Sequence, residues 1–212
     1  MGGHAIPNTS PIKKEDYDNI LTELNKYLPN GLNLFPFGSA GKKDVSNDID
    51  IFVDTTELLK KFNCTTIVQA RKALQQHFIF KNLLSTRSGI TVHVGIPFKS
   101  SIVQIDIMTV ENPFFIQQLH DHVYDNDTVS GKTIISMWCD MARMTEPSLM
   151  FSPYKGLFIR DTNEFLTTDK TTIAKFIIGH HATGEDLRSP SRIINALKDA
   201  EKLNHLKTTY NL

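Results

Sequence analysis

Cysteine is nearly absent: Cys64 and Cys139 stand far apart, with no Cys-x-x-Cys and no clustered Cys/His spacing. That argues against a disulfide-stapled scaffold and a thiolate zinc module, and reads as a reduced, cytoplasmic chain with two buried thiols. Net charge is absent too, since 23 Lys plus Arg balance 23 Asp plus Glu. A broad electrostatic attraction to nucleic acid is therefore not written in the totals, although separated patches can hide beneath a balanced sum. No apolar run approaches membrane-spanning length, and no charged-then-apolar leader opens the chain. Met1-Gly2 is followed by Ile6 where a myristoylation signal wants Ser or Thr, so no lipid anchor and no membrane partner are expected. No repeat or low-complexity tract is present, and nothing in the pattern indicates an oligomeric state.

What is present suits a soluble globular protein. At 212 residues the chain fits one compact domain, or a catalytic domain with a small partner, and can bury a real core. Two aspartates one residue apart, Asp48 and Asp50, lie in the run Asn47-Asp48-Ile49-Asp50-Ile51-Phe52-Val53. Residues i and i+2 of a strand point to the same face, so the two carboxylates project side by side. Asp106 sits in a second apolar strand, Ile105-Asp106-Ile107-Met108. Carboxylates have no packing reason to stand in runs so rich in β-formers, and burying unpaired charge is costly. Three anions converging would repel unless a cation lay between them, and hard divalent cations such as Mg²⁺ take oxygen ligands and bridge to phosphates.

The order Phe37-Gly38-Ser39, then Asp48-Ile49-Asp50-Ile51, then Asp106 resembles the DNA polymerase β-like nucleotidyltransferases over about the first half of the chain. Lys42, Lys43 and Ser46 are similar to the Gly-Ser loop of the poly(A)-polymerase-like members. More weakly, Gly3 to Thr9 and Phe151 to Phe158 resemble small phage-encoded nucleotidyltransferases. The resemblance implies an α+β fold, a mixed central sheet flanked by helices. It implies transfer of an NMP from an NTP to an acceptor hydroxyl, with pyrophosphate released and two Mg²⁺ or Mn²⁺ ions held by Asp48, Asp50 and Asp106. One ion, on all three carboxylates, would activate the hydroxyl; the other, on Asp48 and Asp50, would hold the triphosphate. Gly38 and Ser39, at the start of a helix, would meet the β- and γ-phosphates, with Lys42 and Lys43 as candidate clamps. The acceptor stays open between an RNA or DNA 3′ end, a protein hydroxyl, a small molecule and a second nucleotide. The other reading is a nucleotide-binding or interaction protein that keeps the scaffold without turnover.

Residues 1–11 read as a surface arm, Glu15–Leu28 as an amphipathic helix, and Leu32–Phe37 and Asp48–Val53 as strands. Asp54 caps a short helix, and Thr65 or Thr66 opens another with Val68, Ala73 and Leu74 inward. Phe78–Leu84 and Ile90–Ile96 read as strands around a Ser85–Gly89 hairpin loop, and Ser101–Val110 as the strand of Asp106. A soft boundary falls at Asn112, separating a catalytic domain, 1–112, from a mainly helical accessory region, 113–212. There the pattern predicts helices at 113–123, 131–144, 169–178 and from Pro190 onward, with a β-like insert at 157–166. His120 with His122, and His180 with His181, lack the spacing and companions of a zinc site.

Overall fold

β-Branched residues cluster at Ile49–Val53, Val92–Ile96 and Ile102–Ile107, and these segments form the middle of a five-stranded sheet. The computed structural model describes residues 5–123 and 130–212. The chain divides into two units, Met1–Gln117 and Gln118–Leu212, a few residues beyond the boundary expected at 112. In the first unit the order is β1 (Ile12–Lys13), α1 (Tyr17–Asn25), β2 (Phe35–Phe37), β3 (Val45–Ser46), β4 (Asp48–Asp54), α2 (Thr55–Lys61) and α3 (Ile67–Phe80). Then come β5 (Ser85–Ser88), β6 (Thr91–Phe98), β7 (Ser101–Val110) and α4 (Pro113–Leu119), which runs into the second unit.

The sheet order is β2-β4-β7-β6-β5, with β4 and β7 parallel and the other pairs antiparallel. The fold is thus α+β with a mixed sheet. Ile49, Ile51 and Val53 of β4, Val103, Ile105 and Ile107 of β7, and Val92, Val94 and Ile96 of β6 share one buried cluster with Ile20 and Leu24 of α1, Leu58 of α2, and Ala70, Leu74 and Phe78 of α3. The alternate residues point the other way. There Phe52, Val110 and Ile116 form a smaller cluster, with Phe37 stacked on Phe52 at 3.7 Å between ring centroids. Period-two alternation therefore gives the sheet one helix-covered apolar face and one face with polar positions. Asp54 accepts from the Glu57 N–H to open α2, and Thr66 with Gln69 forms a capping box for α3.

Several expectations need correction. The segment at 78–84 is not a strand: α3 runs to Phe80, burying Phe78, and a turn follows. Residues 85–88, expected in a loop, are strand β5. Val68 is exposed on α3, and Ala70 takes the inward place. The arm is not loose on the surface from Ala5 onward. Ile6 and Ile12 are buried, the Ser10 N–H donates to the Ile102 carbonyl, and Thr9 bridges Ile102 in parallel. β7 extends beyond the start of β4, and the arm takes up that spare edge. Met1, Gly2, Gly3 and His4, with the lipidation reading and part of the N-terminal resemblance, lie outside the described residues.

The second unit holds α5 (Gly131–Arg143), β8 (Leu149–Ser152), β9 (Gly156–Ile159), β10 (Phe165–Thr167), α6 (Lys170–Ile177), α7 (Pro190–Ala196) and α8 (Ala200–Tyr210). Its strands form an antiparallel sheet in the order β10-β9-β8, so β8 joins the expected insert. The helix expected from Pro190 onward is two helices, because Leu197 turns extended and Asp199 caps a new start. Helix α4 stops at Leu119 rather than Val123. Trp138 is fully buried and donates its indole N–H to the Leu187 carbonyl. Both thiols are half-buried rather than buried, and among the described residues no helix is long and apolar enough to cross a membrane.

Ile6→Ala tests the docked arm. It should cost about 2–5 kcal/mol in urea unfolding, as for a buried isoleucine. A loss below about 0.5 kcal/mol, the range of exposed positions, would mean the arm contributes nothing to the core.

Candidate functional site

The parallel register of β4 on β7 sets Asp50 directly beside Asp106 and Asp48 beside Gln104. Asp50 also faces Phe37 across β2, and Asp106 faces His93 across β6, which in turn faces Thr86 of β5. One row, Phe37–Asp50–Asp106–His93–Thr86, therefore crosses all five strands on the face away from the main helix layer. Adding Asp48 gives three carboxylates that each bring one oxygen within 4.8 Å of the others. Asp106 is buried, while Asp48 and Asp50 are half-buried.

Electrostatics at this cluster are unfavourable without a cation. Burial, then Asp48, then Asp106 push the Asp50 carboxyl up to about 8. Burial and Asp106 also raise Asp48. At an effective dielectric constant of about 20, two unit charges about 5 Å apart repel by roughly 3 kcal/mol, enough to hold a proton on one of them near neutral pH. Opposite oxygens around a cation with ligands at about 2.0–2.6 Å are separated by roughly 4–5 Å, so the spacing suits a hard divalent ion. Among the described residues this trio is the group of His, Cys, Asp and Glu side chains placed to share a metal.

Gly38 closes the site beside Asp50. Its φ is +84°, and a Cβ there would stand 2.8 Å from Asp50 Oδ2. The glycine thus permits both the left-handed turn and close approach to a carboxylate. Ser39 does not open a helix, contrary to expectation. Its carbonyl accepts from the Lys42 and Lys43 N–H groups in a single turn, and its hydroxyl lies 3.1 Å from that of buried Ser46. Gly41, at φ +75°, lets this turn pack on the Tyr17 ring. The Lys42 side chain is exposed and that of Lys43 half-buried.

No protein-family model and no curated protein matches this chain. Two residues outside the sequence-level reading complete the cluster. His93 Nδ1 donates to Asp106 Oδ1 at 2.8 Å, and Gln104 Nε2 donates to the same oxygen at 2.8 Å. A histidine alone between Val92 and Val94, and a glutamine two positions before Asp106, are signals that period-two reasoning can use once the strand is assigned. Among the other described histidines, His77 lies on α3 with its Nε2 2.8 Å from the Tyr27 carbonyl oxygen, and the rest lie in the second unit. Burial lowers His120 to about 4, and its Nε2 is 3.3 Å from the Pro153 carbonyl oxygen. His122 packs edge-on to Trp138, and His181 Nε2 is 2.8 Å from the Ala196 carbonyl oxygen. Tyr154 sits in the turn between β8 and β9, half exposed.

Two predictions follow from this geometry. Because the folded value of Asp50, about 8, lies above the unfolded carboxylate value of about 3.9, the stability of its neutral form is fully present below about pH 4 and lost as pH rises through about 8. Asp50→Asn should therefore melt higher than wild type in EDTA, by a margin that widens from about pH 5 to about pH 9. A margin independent of pH would contradict the assignment. Gly38→Ala should cost about 1–3 kcal/mol in urea unfolding through its dihedral alone, and should displace the Asp50 carboxylate besides. A wild-type-like unfolding midpoint would show that the turn tolerates a side chain.

Proposed function

We propose that this protein is a nucleotidyltransferase of the polymerase β-like fold, moving an NMP from an NTP to an acceptor hydroxyl and releasing pyrophosphate. The observation that carries the reading is the register: Asp50 beside Asp106 on parallel strands, Asp48 two residues along, and a glycine turn against Asp50. A structural use of three converging carboxylates would call for matching cations, and the donors that the structure places on Asp106 are a histidine and an amide. A site built to receive divalent cations accounts for both the convergence and the raised carboxyls.

Asp48, Asp50 and Asp106 would hold the cations, Mg²⁺ or Mn²⁺. Once bound there, such ions neutralise triphosphate charge and make an acceptor hydroxyl easier to deprotonate. The chain itself supplies position. The sheet fixes the three carboxylates on neighbouring strands, a more rigid mounting than loops provide. Gly38 leaves backbone room beside Asp50 for a phosphate oxygen, and the Ser39 hydroxyl and the lysines of the following turn offer donors to the outer phosphates. No protein nucleophile is needed, since alignment and charge stabilisation supply the rate. The acceptor classes stay those the resemblance leaves open: a nucleic-acid 3′ end, a protein hydroxyl, a small molecule or a second nucleotide.

The test is incubation with each α-³²P-labelled NTP, Mg²⁺ or Mn²⁺, and a mixed pool of RNA and protein, followed by separation of products. Label should pass from the α-phosphate to an acceptor with pyrophosphate released, and both should cease in EDTA. Asp50→Asn should remain folded and lose transfer by a factor of about 10³ or more, as for loss of a principal charge-stabilising group. Wild-type-like transfer by Asp50→Asn would sink the metal assignment. Labelled NDP with no label on an acceptor would show γ-phosphate transfer, a different reaction.

A further inference from the structure

We propose that His93 and Gln104 are positioning residues that assign the two oxygens of Asp106 different roles, holding Oδ1 and leaving Oδ2 to the cation. The inference rests on the reading of Asp48, Asp50 and Asp106 as a cation site. His93 stands directly opposite Asp106 across the β6–β7 ladder. A carboxylate only accepts, so Nδ1 carries the hydrogen of the 2.8 Å contact to Oδ1. The ring's other nitrogen, Nε2, lies 2.8 Å from the Ser88 hydroxyl at the end of β5. The imidazole is thus tied at both ends and cannot turn without breaking a hydrogen bond.

Gln104 approaches the same oxygen from the same strand, two residues before Asp106. Its Nε2 donates to Asp106 Oδ1 at 2.8 Å, and its Oε1 accepts the Ile6 N–H at 3.1 Å. Flipping the amide would set an oxygen against the carboxylate and an NH₂ against an N–H, so the two partners lock its orientation. Gln104 is 1 % exposed and His93 9 %, which removes water as a substitute for either donor. Among the described residues both donors reach Oδ1 and none reaches Oδ2. A carboxylate held this way by two converging donors presents its second oxygen in a set direction. Outer partners of metal ligands commonly act so, and their loss costs about 10–100-fold in metal affinity. The docked arm enters the same network, because the Ile6 N–H is what orients Gln104.

The experiment is Mn²⁺ binding without nucleotide, followed by electron paramagnetic resonance of the free ion, with circular dichroism melts to establish folding. The variants are His93→Leu, His93→Asn, Gln104→Met and Asp50→Asn. His93→Leu and Gln104→Met should each lower Mn²⁺ affinity by about 10–100-fold. His93→Asn, whose amide can place an N–H near the Nδ1 position, should recover most of that loss, a rescue that mere packing would not give. If folded His93→Leu and Gln104→Met bind Mn²⁺ like wild type while Asp50→Asn does not, positioning is refuted and the cation site stands. If Asp50→Asn also binds like wild type, the cation reading fails and the proposal fails with it. Should His93→Leu not fold, Gln104→Met decides on the same criterion: loss of affinity supports positioning, and wild-type binding overturns it.

Discussion

The parallel pairing of β4 with β7 is the constraint on which the rest of this site depends. A shift of one residue in that register would send Asp106 to the helix-covered face, among Ile49, Ile51 and the side chains of α3, and would turn Ile105 and Ile107 out of the core. The same alternation that sends Ile49, Ile51 and Val53 into the core therefore holds Asp48 and Asp50 out of it. Burial of one face thus secures the geometry of the other. Apolar burial at about 25 cal/mol per Å² across nine strand residues outweighs the repulsion that the convergent carboxylates introduce.

That repulsion is a local conflict in an otherwise consistent fold. Local conflicts that persist in a well-packed scaffold mark the places where a ligand is expected to complete the structure. Here the conflict has a definite sign. The raised carboxyls of Asp48 and Asp50 call for positive charge, and the glycine at position 38 lets the turn close against the Asp50 carboxylate, where a Cβ would stand 2.8 Å from Oδ2. The two donors on Asp106 Oδ1 work in the other direction, fixing one member of the trio in place.

Much of this was readable from residues alone. Asp-Ile-Asp-Ile-Phe-Val carries its own strand period, so the shared face of Asp48 and Asp50 needed no structure, and the caps at Asp54 and Thr66 were visible from turn chemistry. The adjacency of β4 and β7 was not readable from period alone, because two helices and two strands intervene; it is an implication of the family resemblance. Phe78–Leu84 misled because aromatic and β-branched residues in a short apolar run suit a strand as well as the end of a buried helix. The arm reads as a surface segment because it is rich in Gly, Pro, Asn and Ser, although a strand edge left open by β7 gives its backbone partners. Ile193 to Leu203 keeps a helical stripe across a break that Asp199 makes by capping. His93 carries only a weak local signal, a polar residue between Val92 and Val94, and its role becomes legible once Asp106 is known to face it across the ladder.

The central claim is that these three carboxylates are the seat of a cation-bound nucleoside triphosphate. Its most direct test is anomalous diffraction from crystals soaked with Mn²⁺ and a non-hydrolysable NTP analogue. The account predicts Mn²⁺ peaks bounded by Asp48, Asp50 and Asp106, with the triphosphate reaching from them toward the Gly38–Ser39 turn. Nucleotide bound elsewhere, or carboxylates without Mn²⁺ while the analogue is bound, would contradict it.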